Sequence, residues 1–289
     1  MSNVWRRLHT APQGDKALWN RNIAASGGDG NGEEAAVIQS VDRAIRVLTA
    51  LGGSRRMALS ELATRLELPP STVHGLVRTL VAHGLVVQER GSSRYQLGPA
   101  VLRLGNVYLD TIELRSKAVP WAEDVARRTG FAVRTAVLLL DDVVIIHHEP
   151  RPDGSRQMPE VGIVIPAHAS ALGKAILAFG GEPGQSRLSE PLRSMTGETL
   201  TSRSALTEQF GSIRESGLAF EEEEALLGEC GVAAPVFDGN ADVVGAISVV
   251  VPSAAWPVDQ PVRDAVRDAA RSISRELGAP GWPPRTAWR

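Results

Sequence analysis

The sequence predicts an α+β chain: an N-terminal winged helix-turn-helix, a linker helix, and a larger C-terminal domain built on a mainly antiparallel sheet. Three observations predict it. Helix-period apolar positions interrupted at Leu68, Pro69 and Pro70 fill residues 41–81, a short hairpin pattern follows, and the remainder alternates helical stripes with apolar runs of strand length. At 289 residues the chain exceeds what one hydrophobic core usually fills, so two domains are expected.

Composition sets the outer bounds. With 43% hydrophobic and 22% charged residues the chain is neither wholly disordered nor collagen-like. Its apolar runs, Phe131 to Leu140 and Val243 to Val251, are too short to cross a bilayer, and residues 1–30 lack the apolar stretch of a secretory signal. A cytoplasmic location is expected. The single cysteine, Cys230, can form neither an internal disulfide nor a thiolate metal site alone, which fits a reducing compartment. Charge is uneven: residues 37–115 carry ten Lys/Arg against six Asp/Glu, and residues 116–289 carry seventeen against twenty-three. That asymmetry permits a nucleic-acid contact by the first half without establishing one.

Residues 1–36 have no hydrophobic period and include a glycine-rich run from Gly27 to Gly32, so a flexible tail is expected there, its four basic residues balanced by four acidic ones. A winged helix-turn-helix is expected over 37–98. Val41, Ala44, Ile45, Leu48 and Leu51 predict a first helix that ends at Gly52-Gly53. Ser60 is the expected N-cap of a second helix with the stripe Leu62, Ala63 and Leu66. After the proline break, Ser71 is the expected cap of a third, whose Val73, Leu76, Val77, Leu80 and Val81 form the face to be buried. Its other face carries Thr72, His74, Gly75, Arg78 and Thr79. Leu85 to Val87 and Tyr95 to Leu97, joined through Arg90 to Ser93, predict the wing.

The stretch from Pro99, with a linker helix expected over 99–115, is apolar on more than one side: Val101, Leu104, Tyr108 and Ile112 on one, Leu102 and Leu109 on another. Such a helix is either a contact between two copies of the chain or a helix sandwiched inside one. In the third part, 116–279, Pro120 is expected in the first turn of a helix ending at Gly130. Strands are expected at 131–140 and 143–148, a helix capped by Ser170, a helix over 205–215, strands at 232–237 and 243–251 about an Asp238-Gly239-Asn240 turn, and a closing helix over 258–277. Residues 280–289 read as a C-terminal tail.

Four ordered blocks carry a resemblance: LSELATRLELPPSTVHGLVRTLVAHGLV (59–86), RYQLG (94–98), PAHASALGKAILA (166–178) and GVAAPVFD (231–238). In order and spacing they resemble the isocitrate lyase regulator (IclR) family of transcription factors, over residues 37–277. The resemblance implies a winged helix bound to operator DNA, a linker helix used in dimerisation, a GAF-like domain that binds a small-molecule effector, and assembly as homodimers or homotetramers. Where the family's recognition helix usually places histidine and arginine, this chain has His74 and Gly75, so a basic contact is missing and the operator should differ. Gly75 also costs the helix about 1 kcal/mol relative to alanine. The family's common cysteine position is Gly231, with Cys230 one place earlier.

On this reading Ser71 and Thr72 suit phosphate contacts, His74 and Arg78, one turn apart with Thr79 behind them, suit base edges, and Arg90 and Arg94 bracket the wing. The segment from His168 to Gly173 leads into a helix N-terminus that could favour an anion. Resemblance places Ala171, Leu172, Ser248 and Glu221 at effector-pocket positions, and Glu222 to Glu224 read as a solvated, like-charged helix start. His147, His148, His168 and Glu149 offer metal-type ligands, but adjacent strand residues point to opposite faces, so no metal and no cofactor are expected. The stretch HHEPRPDGSRQMPEVG (147–162) looks like the glycerol-operon repressors of the family, which makes glycerol or glycerol 3-phosphate the candidate effector and repression the candidate sign. Two other classes stay open: a GAF-like interaction module without ligand, and an enzyme with an incidental helix-turn-helix. The enzyme lacks a nucleophile elbow, a complete P-loop and any paired Cys/His motif.

Overall fold

The computed structural model describes residues 38–181, 188 and 190–284. The tail expected over 1–36 and the last residues, 285–289, lie outside them. The chain divides between Thr111 and Ile112 into two units.

The first unit holds α1 (Gln39–Ser54), β1 (Met57–Ala58), α2 (Leu59–Leu66), α3 (Pro70–Ala82), β2 (Val86–Gln88), β3 (Arg94–Leu97) and α4 (Pro99–Thr111). Its core joins Val47 and Leu51 of α1, Leu62 and Leu66 of α2, Val73, Val77 and Leu80 of α3, and Val86 of β2. Four local expectations change. α1 runs through Gly52-Gly53 and stops at Arg55, the residue with φ +61°. Glycine tolerates helical angles as well as others, and the buried Leu51 keeps that last turn against the core. α2 starts at Leu59 rather than after Ser60, because Glu61 reaches back and accepts from the Ala58 amide at 2.8 Å. α3 starts at Pro70, which has no N–H to leave unpaired at a first helical position, so Ser71 sits inside the first turn and is not the cap. Val81, expected in the buried stripe, is 40% exposed, since eight residues past Val73 the helix has turned that position off the core.

The small sheet has the order β1-β3-β2, with Met57 opposite Tyr95 and Val86 opposite Leu97. Gly98 then passes so close to the end of α3 that a Cβ there would lie 2.1 Å from the Gly84 carbonyl oxygen. α4 has no buried residue, and Leu102, Leu104, Val107 and Tyr108 are among its exposed side chains. It ends at Thr111, short of the expected 115; extended Ile112 breaks it, and the next helix begins at Glu113.

The second unit opens on α5 (Glu113–Thr129), with Pro120 in its interior rather than in its first turn. The helix reaches back to Glu113 because Leu114 and Ala118, ahead of the proline, are buried. Then come β4 (Ala132–Leu139), β5 (Asp142–Glu149), β6 (Val164–Pro166), α6 (Ala171–Phe179), α7 (Arg203–Ser216), β7 (Ala219–Glu222), β8 (Glu229–Phe237), β9 (Val243–Pro252) and α8 (Gln260–Glu276). The strands form one six-stranded sheet in the order β6-β5-β4-β9-β8-β7, every neighbouring pair antiparallel. Asp238 closes the β8–β9 hairpin by accepting from the amides of Asn240 and Asp242 at 2.9 and 3.0 Å.

Helices cover both faces. α5 and α8 pack together on one, with Arg115 donating to the Ile146 carbonyl at 3.1 Å and the Ser274 hydroxyl accepting from the Phe237 amide at 3.0 Å. α6 lies on the face that carries Arg134, Gly231 and Ser248, and α7 holds α6 through Arg214, which donates to the Ala178 carbonyl at 2.6 Å. The expected tail from residue 280 is in part anchored: the Trp282 indole N–H donates to the Pro235 carbonyl at 2.8 Å.

Candidate functional sites

On the first unit, α3 is amphipathic because its apolar residues recur at helical spacing, and burying Val73, Val77 and Leu80 leaves Ser71, His74, Gly75, Arg78 and Thr79 exposed, with Thr72 half-buried. The structure therefore brings five of the expected contact residues, Ser71, Thr72, His74, Arg78 and Thr79, to one helix. The Thr79 hydroxyl donates to the Gly75 carbonyl at 3.1 Å and so points along its own helix. Arg90 is exposed in the wing turn. Arg94 is placed differently: at the base of the wing, its two terminal nitrogens meet the two Glu61 oxygens at 3.0 and 2.9 Å. The same Glu61 oxygen that takes one of these bonds also accepts from the Ala58 amide, so one carboxylate caps α2 and ties down the wing. A second pair, Arg56 with Glu89 at 2.5 Å, joins the residue before β1 to the residue after β2. No local pattern announces partners so far apart in sequence.

On the second unit, a side-chain cap opens α6. Ser170 caps it as expected, its hydroxyl accepting from the Gly173 amide at 3.0 Å, and its carbonyl accepts from Lys174 N at 2.9 Å. A Cβ on Gly173 would lie 2.2 Å from the Ala167 carbonyl oxygen, so glycine lets the turn fold back on itself. Ala171 and Leu172 are buried in the first turn. Gly231 of β8 marks where α6 meets the sheet, because a Cβ there would stand 3.1 Å from Glu221 Oε2 and 3.4 Å from Ala171 Cβ. Ala171 and Glu221 are thus brought together around a residue with no side chain. Buried Ser248 lies in the middle of the same face, opposite Arg134 on β4 and Ala233 on β8.

Glu221 accepts from the Glu224 and Ala225 amides at 3.1 and 3.4 Å, yet burial outweighs these bonds and pushes its pKa up to about 7. The run Glu221 to Glu224 is not a helix start. It is the end of β7 followed by a turn in which Glu223 has φ +54°. Nor is it all solvated: Glu224 is 6% exposed and meets Lys174, a fully buried side chain, at 2.6 Å. Lys174 also donates to Gln209 of α7 at 3.0 Å. Thr196 and Thr199 donate to the Glu223 and Glu224 carbonyls, which pins the turn from outside.

Sequence reasoning missed this pair, and it missed a second group on the same face. Arg134 pairs with Glu160 through both Nε and Nη2 and with Glu229 at 3.2 Å, and His148 lies 3.7 Å from Glu160. His147 points the other way, toward α5, and lies 3.8 Å from Glu149. His168 is buried and bonded to the Arg193 carbonyl at 3.0 Å, and burial lowers its pKa. The three histidines therefore do not converge.

The chain matches the family model "IclR helix-turn-helix domain" over residues 40–90 and "Bacterial transcriptional regulator IclR C-terminal" over residues 106–275. It belongs to the IclR family of bacterial transcriptional regulators. As a family member it is a DNA-binding regulator with a C-terminal effector-binding domain. It is 44% identical over 216 residues to the glycerol operon regulatory protein of Streptomyces griseus, a match covering 74% of this chain and 85% of that one. Identity to the glycerol operon regulatory protein of Streptomyces coelicolor is 40%, over 73% of this chain and 84% of the relative. An IclR transcriptional regulator from Alicyclobacillus acidocaldarius has a similar structure, with TM-score 0.73, 27% identity, and coverage of 86% of this chain and all of that one (100%). An IclR homolog from Microbacterium hydrocarbonoxydans, solved in complex with 4-hydroxybenzoate, has TM-score 0.69 and 26% identity, over 82% of this chain and 98% of that one.

Two outcomes test the electrostatics of the second unit. Lys174→Met leaves a buried carboxylate without its cation and lowers stability by about 3–5 kcal/mol, whereas Lys174→Met with Glu224→Gln recovers most of the loss; chemical denaturation of both variants measures it. Glu221 has a folded pKa of about 7 against an ordinary 4.5, so its contribution is full below the ordinary value and is lost as pH rises through about 7. Thermal unfolding between those two pH values should show a falling Tm in the wild type and a flatter profile in Glu221→Gln.

Proposed function

We propose that this regulator is a cytoplasmic homodimeric or homotetrameric repressor that releases double-stranded operator DNA when a small metabolite binds its C-terminal domain, and that it is not an enzyme. The observation that carries the reading is the polar side of α3: Ser71, His74, Arg78 and Thr79 are exposed on a helix of the size that enters a major groove, with the wing beside it. His74 and Arg78 read base edges, Ser71 and Thr72 hold phosphate, and Arg90 reaches backbone or minor groove from the wing. Arg94 serves the same surface as a positioning residue, through Glu61. Two α4 helices, each with Leu102, Leu104, Val107 and Tyr108 exposed, supply apolar surface for a contact between copies.

The effector sits beneath α6, where Ala171 and Glu221 meet at Gly231, Leu172 follows in the first turn of the helix, and Ser248 lies on the same sheet face. The names of the two Streptomyces relatives support a compound of glycerol metabolism, glycerol or glycerol 3-phosphate, and that relatives carry the names of regulators and repressors supports the sign. No helix among the described residues is long and apolar enough to cross a membrane, which agrees with the proposed location.

Duplexes selected from a random pool by the full chain provide the operator. Arg78→Ala should weaken binding to them by about tenfold or more, the loss of a bidentate base contact being worth about 1–3 kcal/mol, and leave the thermal unfolding of the second unit unchanged. Unchanged affinity in a gel-shift titration removes Arg78 from the interface.

A further inference from the structure

Gly75 occupies a position of α3 where nothing inside the first unit calls for glycine. A helix turns about 100° per residue, so Gly75 is the position most directly opposite the buried Val73, Val77 and Leu80. Its backbone is helical, and no conformation reserved for glycine is used. A Cβ there would meet nothing within 4 Å, so no neighbouring element requires the space. Glycine in a helix interior is nevertheless unfavourable relative to alanine. The missing side chain has one use, which is to let something outside the chain approach the helix axis.

Thr79, one turn further on, shapes the same place. Its hydroxyl donates to the Gly75 carbonyl at 3.1 Å. With Oγ1 turned back along the helix, the outward part of this exposed side chain is its γ-methyl. Gly75 and Thr79 therefore form a notch with an apolar floor and an apolar wall, on a face whose other exposed residues are Ser71, His74 and Arg78.

We infer that this notch takes the 5-methyl group of a thymine in the major groove, so that Gly75 and Thr79 set the operator sequence at one base pair. The inference rests on α3 being the DNA-reading helix, as proposed above. Among the groups that base edges present in that groove, the thymine methyl is the apolar one. The Thr79 hydroxyl has its proton committed to Gly75 and none left for a base acceptor, whereas a contact between two methyl groups needs only matching shape. Without a Cβ at position 75 the backbone can come close to the base edges. A larger side chain there would hold the helix off the groove floor and would lift His74 and Arg78 away from the bases as well. A methyl group seated in the notch thus fixes the depth at which those two flanking side chains form their hydrogen bonds.

Duplexes selected from a random pool by the full chain test this, with each thymine replaced in turn by uracil, which lacks only the 5-methyl group. At one thymine the replacement should weaken wild-type binding about fourfold, the transfer value of one buried methyl group. Thr79→Ser keeps the hydroxyl and loses the γ-methyl, so it should bind that thymine duplex and its uracil counterpart within about twofold of each other. Gly75→Leu places its Cβ in open space and should fold with an unchanged circular dichroism spectrum, yet lose affinity for both duplexes by about tenfold or more. Wild-type affinity that no thymine replacement alters overturns the inference. So does a Thr79→Ser variant that keeps the wild-type ratio, or a folded Gly75→Leu variant that binds as the wild type does. A chain that selects a duplex indifferent to the methyl group refutes the notch alone, whereas a chain that selects no duplex refutes the regulator reading and the notch with it.

Discussion

The second unit depends on how closely α6 can approach its sheet. That approach is possible because two positions have no side chain: Gly173, where any Cβ would strike the Ala167 carbonyl, and Gly231, where Ala171 and Glu221 already occupy the space. The Lys174–Glu224 pair then fixes the helix to the turn after β7 at a depth where neither charge can be solvated. Such a pair contributes little net stability, since desolvation offsets most of the attraction, but breaking it is costly. Its consequence is geometric. The turn that carries Glu224 is the one whose amides hold Glu221, so the carboxyl facing Gly231 is positioned by an ion pair one residue layer away.

A comparable economy governs the first unit. Glu61 caps α2 and receives Arg94 from the wing, so the helix of the motif that precedes α3 and the strand that flanks it share one anchor. Arg94 and Arg56 are surface pairs and add little to stability individually. What they fix is the orientation of the wing relative to α3, which a DNA-reading surface requires and a hydrophobic core does not specify. On the proposed function, the effector can transmit a signal only by binding two arrangements of the chain with different affinity.

Much of this was legible in the sequence. The period of Val73, Val77 and Leu80 placed the polar side of α3, and Ser170 announced the cap of α6. What failed was of two kinds. Helix ends were misread where tertiary burial overrode a local signal: Leu51 carried α1 past two glycines, Leu114 and Ala118 carried α5 back past Pro120, and Glu61 displaced Ser60 as the capping group. Charged pairs leave no local signal because their partners are distant in the chain. Glu224 looks solvated beside three other glutamates and becomes a core residue only because Lys174 lies across from it. Arg134 and Glu229 come together through the pairing of β4 with β9 and β9 with β8, and Glu160 reaches them from the connection between β5 and β6, so no spacing rule could have joined them.

Regulation of the kind proposed requires that a ligand beneath α6 change DNA occupancy by α3. The most direct test is the affinity of the full chain for its selected duplex with and without glycerol at a concentration that saturates the wild type, in the wild type and in Ser248→Ala, which removes the hydroxyl from the proposed site without adding volume. A ligand-dependent change of about fivefold or more is expected in the wild type, with a much smaller response in a variant that still binds the duplex. A variant that responds to glycerol as the wild type does would contradict it.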